Sequence, residues 1–105
     1  MDESYVPEVK IETSDNASGT LTVSVSGDLD LSNVDTLKAA LAPVTTAPPD
    51  RLVFDMSRVR FIDSAAIAVL LDTTELAPVH IQNPSPSVRR VIELTGLTAV
   101  LSIDP

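Results

Sequence analysis

The chain has 105 residues, a formal net charge of -8 and no cysteine, which excludes disulfides, thiolate metal sites and cysteine nucleophiles together. With seven Lys and Arg against fifteen Asp and Glu, its surface repels a nucleic-acid backbone, so neither DNA nor RNA is expected as a partner. Hydrophobic residues make up 44% of the chain and aromatic residues 3%, enough for one core built from Leu, Val, Ile and Ala.

Met1, Asp2, Glu3 and Ser4 lack the basic and apolar regions of a signal peptide, and no run nears the roughly 18 apolar residues of a membrane span. A cytoplasmic protein with no membrane contact is expected. Val9 and Ile11 alternate with Lys10 and Glu12 as in a strand, and the turn Asp15 to Gly19 follows. From Thr20 to Ser26 the alternation is strict, with Leu21, Val23 and Val25 on one face and hydroxyl residues on the other.

After Gly27 the period becomes helical: Leu31, Val34, Leu37, Leu41 and Val44 share a face, and Ser32 with Asp35 forms a capping-box variant. Thr45 to Asp50 reads as a loop, and Leu52, Val53 and Phe54 as a short interior strand that meets the surface at Asp55. Asp63 and Ser64, both good N-cap residues, precede an uninterrupted apolar segment from Ala65 to Leu71, a buried helix fading near Leu76. Val79 and Ile81 alternate with His80 and Gln82 as another strand. Ser85 and Pro86 cap and start a third helix with Val88, Val91 and Ile92 on one face, and Gly96 then Leu97 suit its C-terminus. Val100 to Ile103 closes as a final strand. This order predicts an α/β fold, a mixed four- to five-stranded sheet with helices packed mainly on one face, in a single domain spanning residues 1–105.

Loops leaving the C-terminal ends of parallel strands are the usual functional edge. Two candidates lie there, Gly27 to Asp30 entering the first helix and Phe61 to Ser64 entering the second. Ser64 either caps its helix or presents a hydroxyl whose phosphate would sit at the favourable end of the helix dipole. Asp28, Asp30, Asp55 and Asp63 are either solvated loop charges or ligands for a hard cation. A triad of Ser64, His80 and an aspartate lacks a nucleophile elbow, and three glycines are too few for a phosphate-binding loop. Arg89 and Arg90 read as a solvated helix face. No enzyme activity and no cofactor is expected.

At Val59, Arg60, Phe61, Ile62, Asp63, Ser64 the chain resembles the STAS domains of anti-sigma factor antagonists, and the likeness extends over VSGDLDL (25–31), LVFDMSRVRFIDSAAI (52–67) and NPSPSVRRVIELTGL (83–97). The resemblance implies a partner switch. The unphosphorylated protein would bind an anti-sigma factor with a histidine-kinase-like ATPase fold, itself a serine kinase, and so free a sigma factor. Phosphorylation, placed by the family pattern on Ser64, would release the partner, and a PP2C-type phosphatase would reset the switch. The partner-binding residues implied are Asp28, Asp30, Leu31, Ser32, Asn33, Asp63, Ser64, Ala65, Ala66 and Ile67. The resemblance also admits a STAS accessory subunit of a lipid-transporting ABC system, whose domains often carry Thr at the acceptor position. Ala65 and Ala66 replace the family's second hydroxyl and glycine. The connection Leu71 to Val79 is shorter than usual and carries Asp72 and Glu75 where relatives are often basic.

Overall fold

The computed structural model describes residues 9–16, 18–96 and 101–103. Strands β1 (Lys10–Asp15), β2 (Thr20–Leu29), β3 (Arg51–Ile62), β4 (Val79–Gln82) and β5 (Ser102–Ile103) form one sheet in that spatial order. Helices α1 (Val34–Thr46), α2 (Ser64–Thr73) and α3 (Pro86–Leu94) connect the parallel strands β2 to β5, while β1 pairs antiparallel with β2. The expected mixed sheet is present with its closing strand. Leu97 and Val100 lie outside the described residues.

One core joins the inward sheet face to all three helices. Val23, Val25 and Leu29 of β2, Phe54, Met56, Val59 and Ile62 of β3, and Val79 and Ile81 of β4 form a single cluster with Leu37 and Leu41, with Ala66 and Leu70, and with Val88 and Ile92. The outward face is polar, carrying Ser24, Ser26, Asp55, Arg58, His80 and Gln82 at half-buried or exposed positions. Val53 is the exception, buried on that face between its neighbours Thr22 and His80.

β3 does not end at Asp55 as the sequence suggests; it runs on for seven residues to Ile62. Two register irregularities, between Ser24 and Ser26 and between Gly27 and Asp28 of β2, each add a residue to the β3 side. Its inward residues therefore fall at 56, 59 and 62, a spacing of three that hides the strand from any search for strict alternation. β2 is longer than expected for the same reason. Gly27, Asp28 and Leu29 belong to the strand and not to a loop, and Gly27 adopts φ 99° at the second irregularity, a conformation open to glycine.

The first helix starts later and ends later than its apolar spacing implies. Leu31 precedes the helix and is 75% exposed, and the expected Ser32–Asp35 capping box is absent because the Ser32 hydroxyl donates to Asp30 Oδ1 instead. Asn33 occupies the N-cap without a side-chain cap bond, and the helix continues through Pro43 to Thr46. The third helix follows its sequence signals closely. Ser85 is the N-cap, its Oγ accepting from Val88 N at 3.2 Å with Pro86 in the first turn, and Gly96 takes φ 76° after the last turn. Ser85→Ala is expected to cost about 1 kcal/mol, read as a lower urea midpoint with an unchanged slope.

Candidate functional site

The carboxyl edge of the sheet is built around Asp63. Its backbone leaves β3 extended, at φ -117° and ψ -175°, which aims the side chain back over the first turn of α2. Oδ1 accepts from Ala65 N at 3.0 Å and Ala66 N at 3.1 Å, satisfying two of the amides that a helix start leaves without intrahelical partners. Asp63 is thus the cap, and Ser64 is the first helical residue with an exposed side chain. The capping reading of Ser64 is overturned: its neighbour does that work, and the hydroxyl takes no part in it.

Asp63 also reaches across to the other loop. Its Oδ2 accepts from Leu31 N at 3.0 Å, and its own N–H donates to Leu29 O at 3.3 Å. The turn that carries Leu31 is closed by local side-chain bonds, as short polar side chains favour. Asp30 Oδ1 accepts from Ser32 N and Ser32 Oγ, Asn33 Oδ1 accepts from Asp30 N, and Asn33 Nδ2 donates to Asp28 O. Beside it the Arg60 guanidinium grips Asp28 with two bonds of 3.2 Å, one to each carboxylate oxygen. At this exposure the pair contributes at most about 1 kcal/mol, and it ties together the side chains at the paired ends of β2 and β3.

The structure gathers Asp28, Asp30, Leu31, Ser32, Asn33, Asp63, Ser64 and Ala65 at this one edge. Ala66 and Ile67 are buried in the core, because α2 turns them toward the sheet, so in this chain they lie beneath the exposed residues of the edge. Two residues outside the expected set belong here. Phe61 is 51% exposed and pairs in register with Asp28, and Arg60 holds Asp28. Leu31, Phe61, Leu76 and Leu94 are the large hydrophobic side chains exposed among the described residues, and two of the four belong to the segments that meet at Asp63, Leu31 through its N–H bond and Phe61 two residues before it in the chain. Phe61 stands at the start of the candidate segment Phe61 to Ser64, but that its side chain is exposed is legible only once the irregular spacing of β3, with Val59 and Ile62 inward, is known.

His80 sits on β4 opposite Val53, most of the length of β3 away from Ile62, so no triad with Ser64 forms. Asp28, Asp30, Asp55 and Asp63 are each hydrogen-bonded within the protein, Asp55 by Ser57 N and the others as described, and among the described residues no group of three metal-ligating side chains comes together. None of the described helices is long and apolar enough to cross a membrane.

Fold and edge together define a small α/β domain that displays an exposed serine at the start of α2, at the same sheet edge as the exposed Leu31 and Phe61. A family model described as "Mlab, STAS domain" matches residues 13–102, and the chain belongs to the STAS domain family. The crystal structure of an anti-sigma factor antagonist from Mycobacterium paratuberculosis is similar at a TM-score of 0.84 and 30% identity, over 93% of this chain and 86% of that one. SpoIIAA, an anti-sigma factor antagonist, in its unphosphorylated form gives 0.76 at 19% identity, over 91% and 89%. The phosphorylated form of SpoIIAA, described as a Bacillus cell fate determinant, gives 0.66 at 18% identity, over 91% and 92%. At such identities the two SpoIIAA structures speak for the fold. No curated protein matches the chain.

Proposed function

We propose that the chain is an anti-sigma factor antagonist of the cytoplasm, a single STAS domain that acts by binding. Unphosphorylated, it binds an anti-sigma factor of histidine-kinase-like fold and so frees a sigma factor; phosphorylated at Ser64, it lets go. The observation that carries this reading is the position of Ser64, exposed at the start of α2 and relieved of capping by Asp63, with exposed Leu31 and Phe61 at the same edge. A hydroxyl so placed is open to a kinase, and its neighbours offer a partner apolar contact.

In the transfer, Ser64 Oγ attacks the γ-phosphorus of ATP held by the kinase. The new O–P bond forms as the bridging bond to the β-phosphate breaks, ADP leaves, and the hydroxyl proton passes to a base on the kinase. Hydrolysis by a PP2C-type phosphatase, water displacing the seryl oxygen as phosphate departs, restores the hydroxyl. The antagonist supplies the acceptor and the surface; the catalytic groups belong to its partners.

Incubation with the anti-sigma kinase, Mg²⁺ and ATP is expected to add the mass of one phosphoryl group to the wild type and nothing to Ser64→Ala, read by intact-mass spectrometry. Equal labelling of the two would remove Ser64 from the switch. A second reading, which membership of the STAS family also admits, is an accessory subunit of a lipid-transporting ABC system. Serine in place of threonine at the acceptor position and the antagonist at 30% identity favour the first. Affinity purification from the source cell separates them, by recovery of a kinase and sigma factor or of a permease and ATPase.

A further inference from the structure

Resting on the reading of Ser64 as a phospho-acceptor, we infer that Asp63 is the positioning residue that transmits the state of Ser64 to Leu31, because its carboxylate joins the two loops and a phosphate on Ser64 detaches them. Asp63 collects three N–H donors from segments far apart in the chain, Ala65 and Ala66 on Oδ1 and Leu31 on Oδ2. The side-chain bonds that close the Asp30–Asn33 turn span at most five residues, so they shape the turn without anchoring it to α2. The Leu31 side chain is 75% exposed and has little packing to hold it. The backbone bond from Asp63 N to Leu29 O holds the end of β2, and the bond from the Leu31 N–H to Asp63 Oδ2 carries that hold into the turn and fixes Leu31 beside the acceptor helix.

A phosphate on Ser64 places about -1.5 to -2 charge next to that carboxylate and competes for the same helix-start amides. Both effects drive Asp63 off its present position. Oδ2 then leaves Leu31 N, and the turn that bears the exposed leucine is released. Phosphorylation in this way alters the partner surface at a residue that does not itself carry the phosphate, in addition to any direct repulsion of the partner.

Asp63→Asn isolates the link. Asparagine caps a helix as well as aspartate does, so its amide oxygen keeps Ala65 N and Ala66 N, but its NH₂ then faces the Leu31 N–H, donor against donor. In the isolated full chain, solvent exchange of the Leu31 amide is expected to quicken roughly tenfold or more, while the Ala65 and Ala66 amides keep their wild-type rates. Phosphoserine installed at position 64 during translation should shift and expose the Leu31 amide in the same way. Affinity of Asp63→Asn for the anti-sigma factor should fall roughly tenfold with Ser64 intact. An unchanged Leu31 amide, in shift and in exchange rate, in Asp63→Asn or in the phosphorylated chain overturns the inference. If Leu31 responds in both forms while the wild type binds no anti-sigma factor, the link stands and the functional reading falls.

Discussion

Phosphorylation of Ser64 is expected to weaken the complex with the anti-sigma factor at least about a hundredfold, equivalent to about 2.7 kcal/mol. The edge already carries the carboxylates of Asp30 and Asp63, and the chain bears a net charge of -8, so the new anion arrives among like charges. At an effective dielectric of about 20, a dianion about 6 Å from a carboxylate is repelled by about 5 kcal/mol, and in bulk water by about a quarter of that. Closing a partner over the site moves it from the second condition toward the first and adds the cost of stripping water from the phosphate. The comparison is made by calorimetric titration of both forms over a series of salt concentrations. The gap should narrow as salt rises, since screening acts on the exposed charges. Ser64→Asp, with one charge on a shorter arm, should show the same direction at about tenfold. A phosphorylated chain that binds within threefold of the unmodified one would rule out an electrostatic switch.

Removing the two apolar side chains at the edge is expected to have an effect of similar size without any charge change. Leu31 is 75% exposed and Phe61 51% exposed, so neither contributes much to the core, and truncating them should alter folding stability by no more than about 0.5 kcal/mol. An exposed aromatic that becomes buried at the centre of an interface commonly carries about 2 kcal/mol of binding, and its aliphatic neighbour somewhat less. Leu31→Ala with Phe61→Ala should therefore lower affinity for the anti-sigma factor by about a hundredfold while the urea midpoint stays in place. Leu94→Ala, equally exposed but on α3, serves as the control and should leave affinity unchanged. Binding within twofold of wild type for the double variant would place the interface elsewhere.

The local signals were legible wherever a short-range rule decides the structure. Ser85 followed by Pro86 starts α3, Gly96 sits after its last turn, and the alternation of β2 from Thr20 is kept in its buried Val23 and Val25. Asp63 and Ser64 were both legible as helix-start residues, but the sequence could not say which of them caps. That depends on the direction in which β3 delivers the chain, and the extended backbone of Asp63 settles it. Leu31 illustrates the opposite failure. Its spacing from Val34 suits a helix face, yet the bonds among Asp28, Asp30, Ser32 and Asn33 close a turn first and leave it outside.

Composition, charge and periodicity by themselves determined the class of fold, the order of its elements and the place of Ser64 at the start of a buried helix. These rest on burial patterns and capping preferences that act within a few residues. Only the tertiary structure decided that β3 runs to Ile62, that Phe61 is exposed at the edge with Leu31, and that Ala66 and Ile67 face inward. It alone showed that one carboxylate holds both loops. Each of these depends on how β2 and β3 keep register past two irregularities, and on contacts between residues more than thirty positions apart, which no window on the chain contains.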